Sequence, residues 1–252
     1  MKTILFTFSA TGNSLTTARL LAEALDNCSI VGVSSLRDQE TIPVDADSVG
    51  FVFPVYYGDM PCLMRSVITR MQFTATPYIF AIPTYRGHFG ASAQRLDALL
   101  RTLGQKLSCS LPVRLPGNSR ISTPEQNAEL LTAQKDSVAA VAKKLYAFPV
   151  EDYSAQPMPE PSPVHTARNM RGMTAEDNCI GCGLCARVCP MDNIRVADGK
   201  ALIGNNCSSC MACFHWCPQK AIWMPLAEEE IRRRFQYRHP DVTVQDIIAL
   251  KR

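Results

Sequence analysis

Over the first 148 residues, apolar and polar positions fall into blocks of two kinds. Short, continuously apolar runs at Ile4–Phe8, Ser29–Val33, Val49–Phe53, Tyr78–Pro83 and Ser108–Leu115 read as strands buried on both faces. Between them, Ser14–Leu25, Cys62–Met71, Ala91–Leu103 and Pro124–Tyr146 carry apolar residues at helical spacing. Strands alternating with helices predict a doubly wound α/β domain over residues 1–148, with a five-stranded parallel sheet. Such a sheet offers a ligand crevice beyond the carboxyl ends of its strands, where the strand order reverses. The pattern then stops. Pro149, Pro157, Pro159, Pro161 and Pro163 predict an extended, semi-rigid linker over residues 149–170. Residues 171–225 form a small cysteine-rich α+β block with short strands at Asn193–Ala197, Lys200–Ile203 and Ala221–Met224. Residues 226–252 read as a helical tail. In it, Glu228, Glu229 and Glu230 stand four residues before Arg232, Arg233 and Arg234, which predicts a solvated helix. Thr243 is placed to cap a last short helix, Val244–Leu250.

The loops at the predicted crevice carry the first chemistry. Strand one runs into Ser9-Ala10-Thr11-Gly12-Asn13-Ser14 and then a helix. Backbone N–H groups at a helix N-terminus, with hydroxyl and amide side chains beside them, make an anion site. Gly12 allows close backbone approach. The same residue types are also ordinary N-caps, so this loop alone leaves both readings open. Two more loops reach the same edge: Pro54-Val55-Tyr56-Tyr57-Gly58-Asp59 after the third strand and Thr84-Tyr85-Arg86-Gly87 after the fourth. The sequence has neither the G-x-x-x-x-G-K-[ST] loop of a triphosphate site nor the G-x-G-x-x-G fingerprint of a dinucleotide site. The first loop resembles the FMN phosphate loop of flavodoxins residue for residue. That resemblance implies a flavodoxin-like fold and FMN as cofactor, with its phosphate on Ser9, Thr11, Gly12, Asn13 and Ser14. It also implies that Pro54, Tyr56, Tyr57, Gly58, Asp59, Thr84, Tyr85, Arg86 and Gly87 grip the ring. Tyr56 or Tyr57, and Tyr85, are its candidates for stacking. Gly58-Asp59 matches a peptide that turns over in some flavodoxins to bond the reduced flavin. Arg86 departs from the small residue common there; it either favours the anionic reduced ring or points to solvent.

Eight of the eleven cysteines fall into two runs displaced by 28 residues. They are Cys179-x-x-Cys182-x-x-Cys185-x-x-x-Cys189-Pro190 and Cys207-x-x-Cys210-x-x-Cys213-x-x-x-Cys217-Pro218. Thiolates are the soft donors that iron–sulfur clusters select. Structural zinc and a disulfide framework compete with that reading, but a pair of C-x-x-C knuckles already completes a zinc site and leaves the other cysteines surplus. The spacing resembles that of bacterial ferredoxins with two clusters. This implies two [4Fe–4S] clusters, one on Cys179, Cys182, Cys185 and Cys217 and one on Cys207, Cys210, Cys213 and Cys189. Gly181 and Gly183 would relieve crowding around the sulfurs, and Phe214 and Trp216 read as packing that keeps water off them. Cys28, Cys62 and Cys109 read as small buried hydrophobes. His88, His165, His215 and His239 have no companion ligands in sequence and are assigned to no metal.

Composition narrows the partners. No apolar run approaches the ~20 residues that span a bilayer, and the apolar start lacks the length and cleavage site of an export signal. The expectation is a cytoplasmic protein, since thiolate clusters want a reducing compartment. The net charge of +3 is spread thinly, without the basic stripe of a nucleic-acid binder. A flavodoxin-like half followed by a two-cluster ferredoxin half resembles the fused flavodoxin–ferredoxin proteins of anaerobic bacteria and archaea, over nearly the whole chain. Two classes of function stay open. Either the chain passes electrons between redox protein partners, or it is a ferredoxin-fed reductase whose flavin delivers them to a quinone, an unsaturated compound or oxygen.

Overall fold

The computed structural model describes residues 1–118, 123–158, 172–224 and 236–252. At its centre lies β1 (Thr3–Thr7), paired in parallel with β2 (Cys28–Gly32) on one side and β4 (Ser48–Pro54) on the other. The sheet continues from β4 through β6 (Tyr78–Tyr85) to two short pieces, β7 (Cys109–Ser110) and β8 (Val113–Arg114). These six strands have the order β2-β1-β4-β6-β7, with β8 also on β6. That is the flavodoxin-like doubly wound order, and its direction reverses between β1 and β4. Gly50 lets the sheet's layers close up, since a Cβ there would lie 2.5 Å from both Leu5 and Phe80.

The helices α1 (Asn13–Ala24), α2 (Cys62–Ile68), α3 (Ser92–Arg101), α4 (Pro124–Thr132) and α5 (Gln134–Leu145) cover the sheet. The structure differs from the sequence pattern in three places. The expected fifth strand is broken at Leu111-Pro112, where proline has no N–H to give the ladder. The expected long helix 124–146 is two helices meeting at Ala133. A separate parallel pair, β3 (Ile42–Val44) with β5 (Met71–Phe73), joins segments too short to show a period.

The proline-rich segment begins as part of the first domain. Pro149 accepts a bond from the Tyr78 hydroxyl (2.8 Å), Glu151 N–H bonds Ser108 O (2.8 Å), and Tyr153 is buried. Residues 159–170 of the linker lie outside the described residues, as does the charged run 228–234.

In the cysteine block, β9 (Thr174–Ala175) pairs with β12 (Ile222–Trp223), and β10 (Ile194–Ala197) forms a hairpin with β11 (Lys200–Ile203). Short helices α6 (Leu184–Val188) and α7 (Ala212–His215) carry the third cysteine of each run, Cys185 and Cys213, as their second residue. The tail ends in α8 (Val244–Ala249), with Thr243 and Asp246 forming a capping box. This block does not hang from the first domain. One apolar core joins Phe6, Phe51, Met60 and Met64 to Val188, Ala212 and Trp216, and on to Val242, Ile247 and Ile248 of the tail. Ion pairs Arg37–Asp192 (2.7 Å), Lys251–Asp192 (2.5 Å) and Arg19–Asp246 (2.5 Å) tie its edges.

Candidate functional site

At the carboxyl ends of β1, β4 and β6 the crevice opens into a cavity of about 510 Å³. Its wall holds Ser9, Thr11, Asn13, Ser14, Pro54, Tyr56, Tyr57, Gly58, Thr84, Tyr85, Arg86 and Gly87. Ala10, Val55, His88, Pro116, Gly117 and Asn118 complete it. Of these, 116–118 carried a usable signal: a Pro-Gly turn at the carboxyl end of the predicted fifth strand, on the same edge.

Two residues expected there stand elsewhere. Gly12 donates its N–H to Ser9 Oγ (3.2 Å) and turns its α-carbon to the tail, where a Cβ would sit 2.7 Å from the His239 Cβ. The Asp59 carboxylate is buried beneath the loop, with Arg65 at 2.6 Å, Arg95 at 3.8 Å and the Met60 N–H at 2.6 Å. A buried carboxylate needs such compensation, and the guanidinium groups lie on α2 and α3, away from the cavity.

The start of α1 decides between an anion site and a capped helix. No side chain caps it. The first bond within the helix is Thr16 N–H to Gly12 O (2.9 Å), so Asn13, Ser14 and Leu15 have N–H groups without a helical partner. The Asn13 side chain is engaged away from the cavity, donating to Pro116 O (2.7 Å) and accepting from the Tyr237 hydroxyl (2.6 Å). Ser14 Oγ shares a bond with Thr84 Oγ1 (2.8 Å). Unsatisfied backbone N–H groups at the positive end of a helix dipole attract an anion. Arg86 lies in the same wall and reaches Gln126 Oε1 (3.3 Å).

Tyr56 and Asp59 close a tight turn, with Tyr56 N–H to Asp59 O (2.9 Å) and Asp59 N–H to Tyr56 O (3.0 Å). Tyr57 and Gly58 take φ of 53° and 79°, as a type I′ turn requires. The Gly58 carbonyl accepts from Ala91 N–H (3.0 Å), so the Gly58–Asp59 peptide is held at both ends and turning it over breaks two bonds. Tyr56 packs edge-on to Phe8 with its hydroxyl buried. Tyr57, 40% exposed, stands at the open side, and Tyr85 packs edge-on to Phe89.

The two cysteine runs fold as copies. Left-handed backbone recurs at matched positions: Gly181 and Ser209 (φ 63° and 57°), Gly183 and Met211 (72° and 62°), Asp192 and Lys220 (45° and 51°). Backbone N–H groups of Asn193, Ser209 and Ala221 reach the sulfurs of Cys189 (3.4 Å), Cys207 (3.3 Å) and Cys217 (3.3 Å). The charge neighbours of Cys185 are Cys217, Cys182 and Cys179. Those of Cys210 are Cys189 and Cys207, and those of Cys213 are Cys210, Cys189 and Cys207, then Cys185 of the other set. Burial pushes the Cys185 thiol up to about 11 and the Cys210 thiol to about 12, with the neighbouring cysteines adding to each. Thiolate is thus disfavoured here until a metal supplies the compensating charge.

The second run is hydrogen-bonded to two residues of the cavity wall, Ala10 and Asn118. Trp216 Nε1–H bonds Ala10 O (2.9 Å), His215 Nε2–H bonds Asn118 O (2.7 Å), and Asn118 Nδ2–H reaches Cys210 O (3.4 Å). Burial first and Cys210 second raise the Tyr56 phenol well above its ordinary range; burial and Cys207 likewise raise Tyr57. His215 is fully buried and stays neutral, its pKa lowered to about 4 by burial. The first run faces outward, with Cys182 exposed and Ile180 62% exposed.

Residues 178–222 match the family of 4Fe-4S dicluster domains, so the cysteine block is an iron–sulfur domain. The chain is a flavodoxin-like α/β domain followed by that domain. Among solved structures, it is similar to an azoreductase from Bacillus anthracis strain Sterne, at 14% identity over 57% of this chain and 100% of that one, with a TM-score of 0.40. It is also similar to a flavodoxin from the domain Archaea (14% identity, 58% of this chain, 99% of that one, TM-score 0.34). A third is rubredoxin oxygen:oxidoreductase from the anaerobe Desulfovibrio gigas (15% identity, 58% of this chain, 37% of that one, TM-score 0.35). A comparison with curated proteins finds no match. Among the described residues, no helix is long and apolar enough to cross a membrane.

Proposed function

We propose that the protein moves electrons within one chain between FMN in the cavity and two [4Fe–4S] clusters on the cysteine runs, coupling a two-electron carrier to one-electron carriers. The observation that carries this reading is the bonding of the second run, through Trp216, His215 and the Cys210 carbonyl, to the wall residues Ala10 and Asn118. The residues fit both groups. A cavity of about 510 Å³ lies within the ~300–1,000 Å³ usual for small-molecule sites. The uncapped start of α1 suits a terminal monophosphate, with Tyr57 and Tyr85 beside the ring. Cys179, Cys182, Cys185 and Cys217 would hold the outer cluster, and Cys207, Cys210, Cys213 and Cys189 the inner one. When bound, the flavin supplies the ability to take electrons in pairs and pass them singly. The chain's own part is to hold phosphate on the N–H groups of Asn13 and Ser14, to keep water from the inner sulfurs with Trp216, Phe214 and Met211, and to present Cys182 to a redox protein. Intramolecular placement gives the second transfer a high effective concentration.

The open side of the cavity, at exposed Tyr57, Gly87 and His88, favours a second ending in which the flavin reduces a small molecule. Anaerobic turnover with acceptors added one at a time separates the two endings. The shared step is tested with reduced ferredoxin as donor. Flavin absorbance should bleach at least roughly tenfold faster in the intact protein than in Cys179→Ser/Cys182→Ser, which leaves the cavity-side run alone. Equal rates would show that the outer cluster is not the entry route.

A further inference from the structure

We infer that the flavin site is composite: Tyr237 of the tail and His215 of the second cysteine run position the phosphate loop, so the site is complete only when both are docked. This rests on the FMN reading of the cavity. Four hydrogen bonds close a ring through three distant segments. Asn13, the first residue of α1, donates from Nδ2 to Pro116 O at 2.7 Å. On the same turn, Asn118 O accepts from His215 Nε2–H at 2.7 Å. His215 Nδ1 accepts from the Tyr237 N–H at 3.1 Å. The Tyr237 hydroxyl then returns to Asn13 Oδ1 at 2.6 Å.

The ring is buried: His215 is 0%, Tyr237 6% and Asn13 9% exposed. Inside a protein, a polar network with every member satisfied fixes one geometry. Both polar ends of Asn13 are used, which sets its side chain and hence the direction of its backbone N–H at the cavity. His239 adds a second tie, its N–H donating to Thr11 O at 2.8 Å, with its Cβ packed over Gly12. Neither Tyr237 nor His215 lines the cavity, so both are positioning residues. The sequence pattern treats residues 1–148 as a self-contained flavin domain; these ties come from far beyond it. Coupling of this kind is reciprocal: what docking does for phosphate binding, phosphate does for docking.

The test uses the full chain with its clusters, stripped of flavin and titrated with FMN and with riboflavin, which lacks the phosphate, by flavin fluorescence. Tyr237→Phe keeps the ring and removes one hydroxyl. FMN should bind it roughly tenfold more weakly, riboflavin as tightly as it binds the unaltered protein, and iron content should not change. In the unaltered protein, FMN but not riboflavin should slow hydrogen exchange at residues 237–239. Unchanged FMN affinity in Tyr237→Phe, or equal losses for both flavins, overturns the inference. An unaltered protein that binds neither flavin overturns the FMN reading itself.

Discussion

Ser209 and Met211 adopt left-handed backbone at the positions that Gly181 and Gly183 occupy in the first cysteine run. For a side chain with a Cβ that conformation costs about 1–2 kcal/mol. Met211 is buried in the block's core and offsets the cost by packing; Ser209 has little such return. Ser209→Gly should therefore stabilise the anaerobic holoprotein by roughly 0.5–1 kcal/mol. Gly181→Ala should destabilise it by more, because a Cβ there would lie 2.6 Å from Gly199 O. Thermal unfolding of the pair reads the difference. Asp59 poses a different residue-scale question. Removing its carboxylate takes a counter-ion from Arg65 and the acceptor from the buried Met60 N–H, so Asp59→Ala should cost roughly 2 kcal/mol in urea unfolding. The sequence placed Asp59 at the ring because a motif records neighbours along the chain, not the direction a carboxylate points. The left-handed turns at Gly181 and Gly183 are easier to foresee, because the even spacing of the cysteines around them is itself a constraint.

Among the elements, the buried strands of the first domain announce themselves as apolar runs, and Thr243 announces α8 by its capping position. What the tail docks against is silent in the sequence. Residues 236–243 have no apolar period, and their partners lie more than 200 positions away at Thr11 and Asn13. The docking nevertheless has a titratable signature. His239 donates from Nε2 to Gln134 Oε1 (2.7 Å) and accepts at Nδ1 from Asp241 N–H (3.2 Å). Burial lowers its pKa, with the nearby Asp241 opposing. An undocked tail would carry a histidine near the ordinary ~6.5. The undocked state thus binds more protons below that value, and docking weakens as pH falls through it while holding above. Amides at 237–249 should lose protection between pH 7.5 and 5.5 in hydrogen exchange corrected for intrinsic rates. A profile indifferent to pH over that interval would remove His239 from the account.

At the scale of the whole molecule, composition predicts a spacer over residues 149–170, and its described part, 149–158, lies against the first domain. Prolines predict an extended chain but not whether that chain lies against something, and Tyr153 and Glu151 bind the first domain through residues remote in sequence. The shared apolar core was equally hidden, because Trp216 reads as local packing until Ala10 is seen to accept its N–H. Protein purified without oxygen should contain about eight iron and about eight acid-labile sulfide per chain. Zinc in their place would sink the cluster reading.

The contact between Tyr237 and Asn13 also orders events in time. A ribosome adding about 5–20 residues per second exposes the first loop, and then the turn at residue 118, well before residue 237 has been made. The sheet can form during that interval, on the order of ten seconds, but the loop at its edge lacks its last anchor. On the proposed reading, capture of flavin at that edge waits until residue 237 has been made and has docked on Asn13.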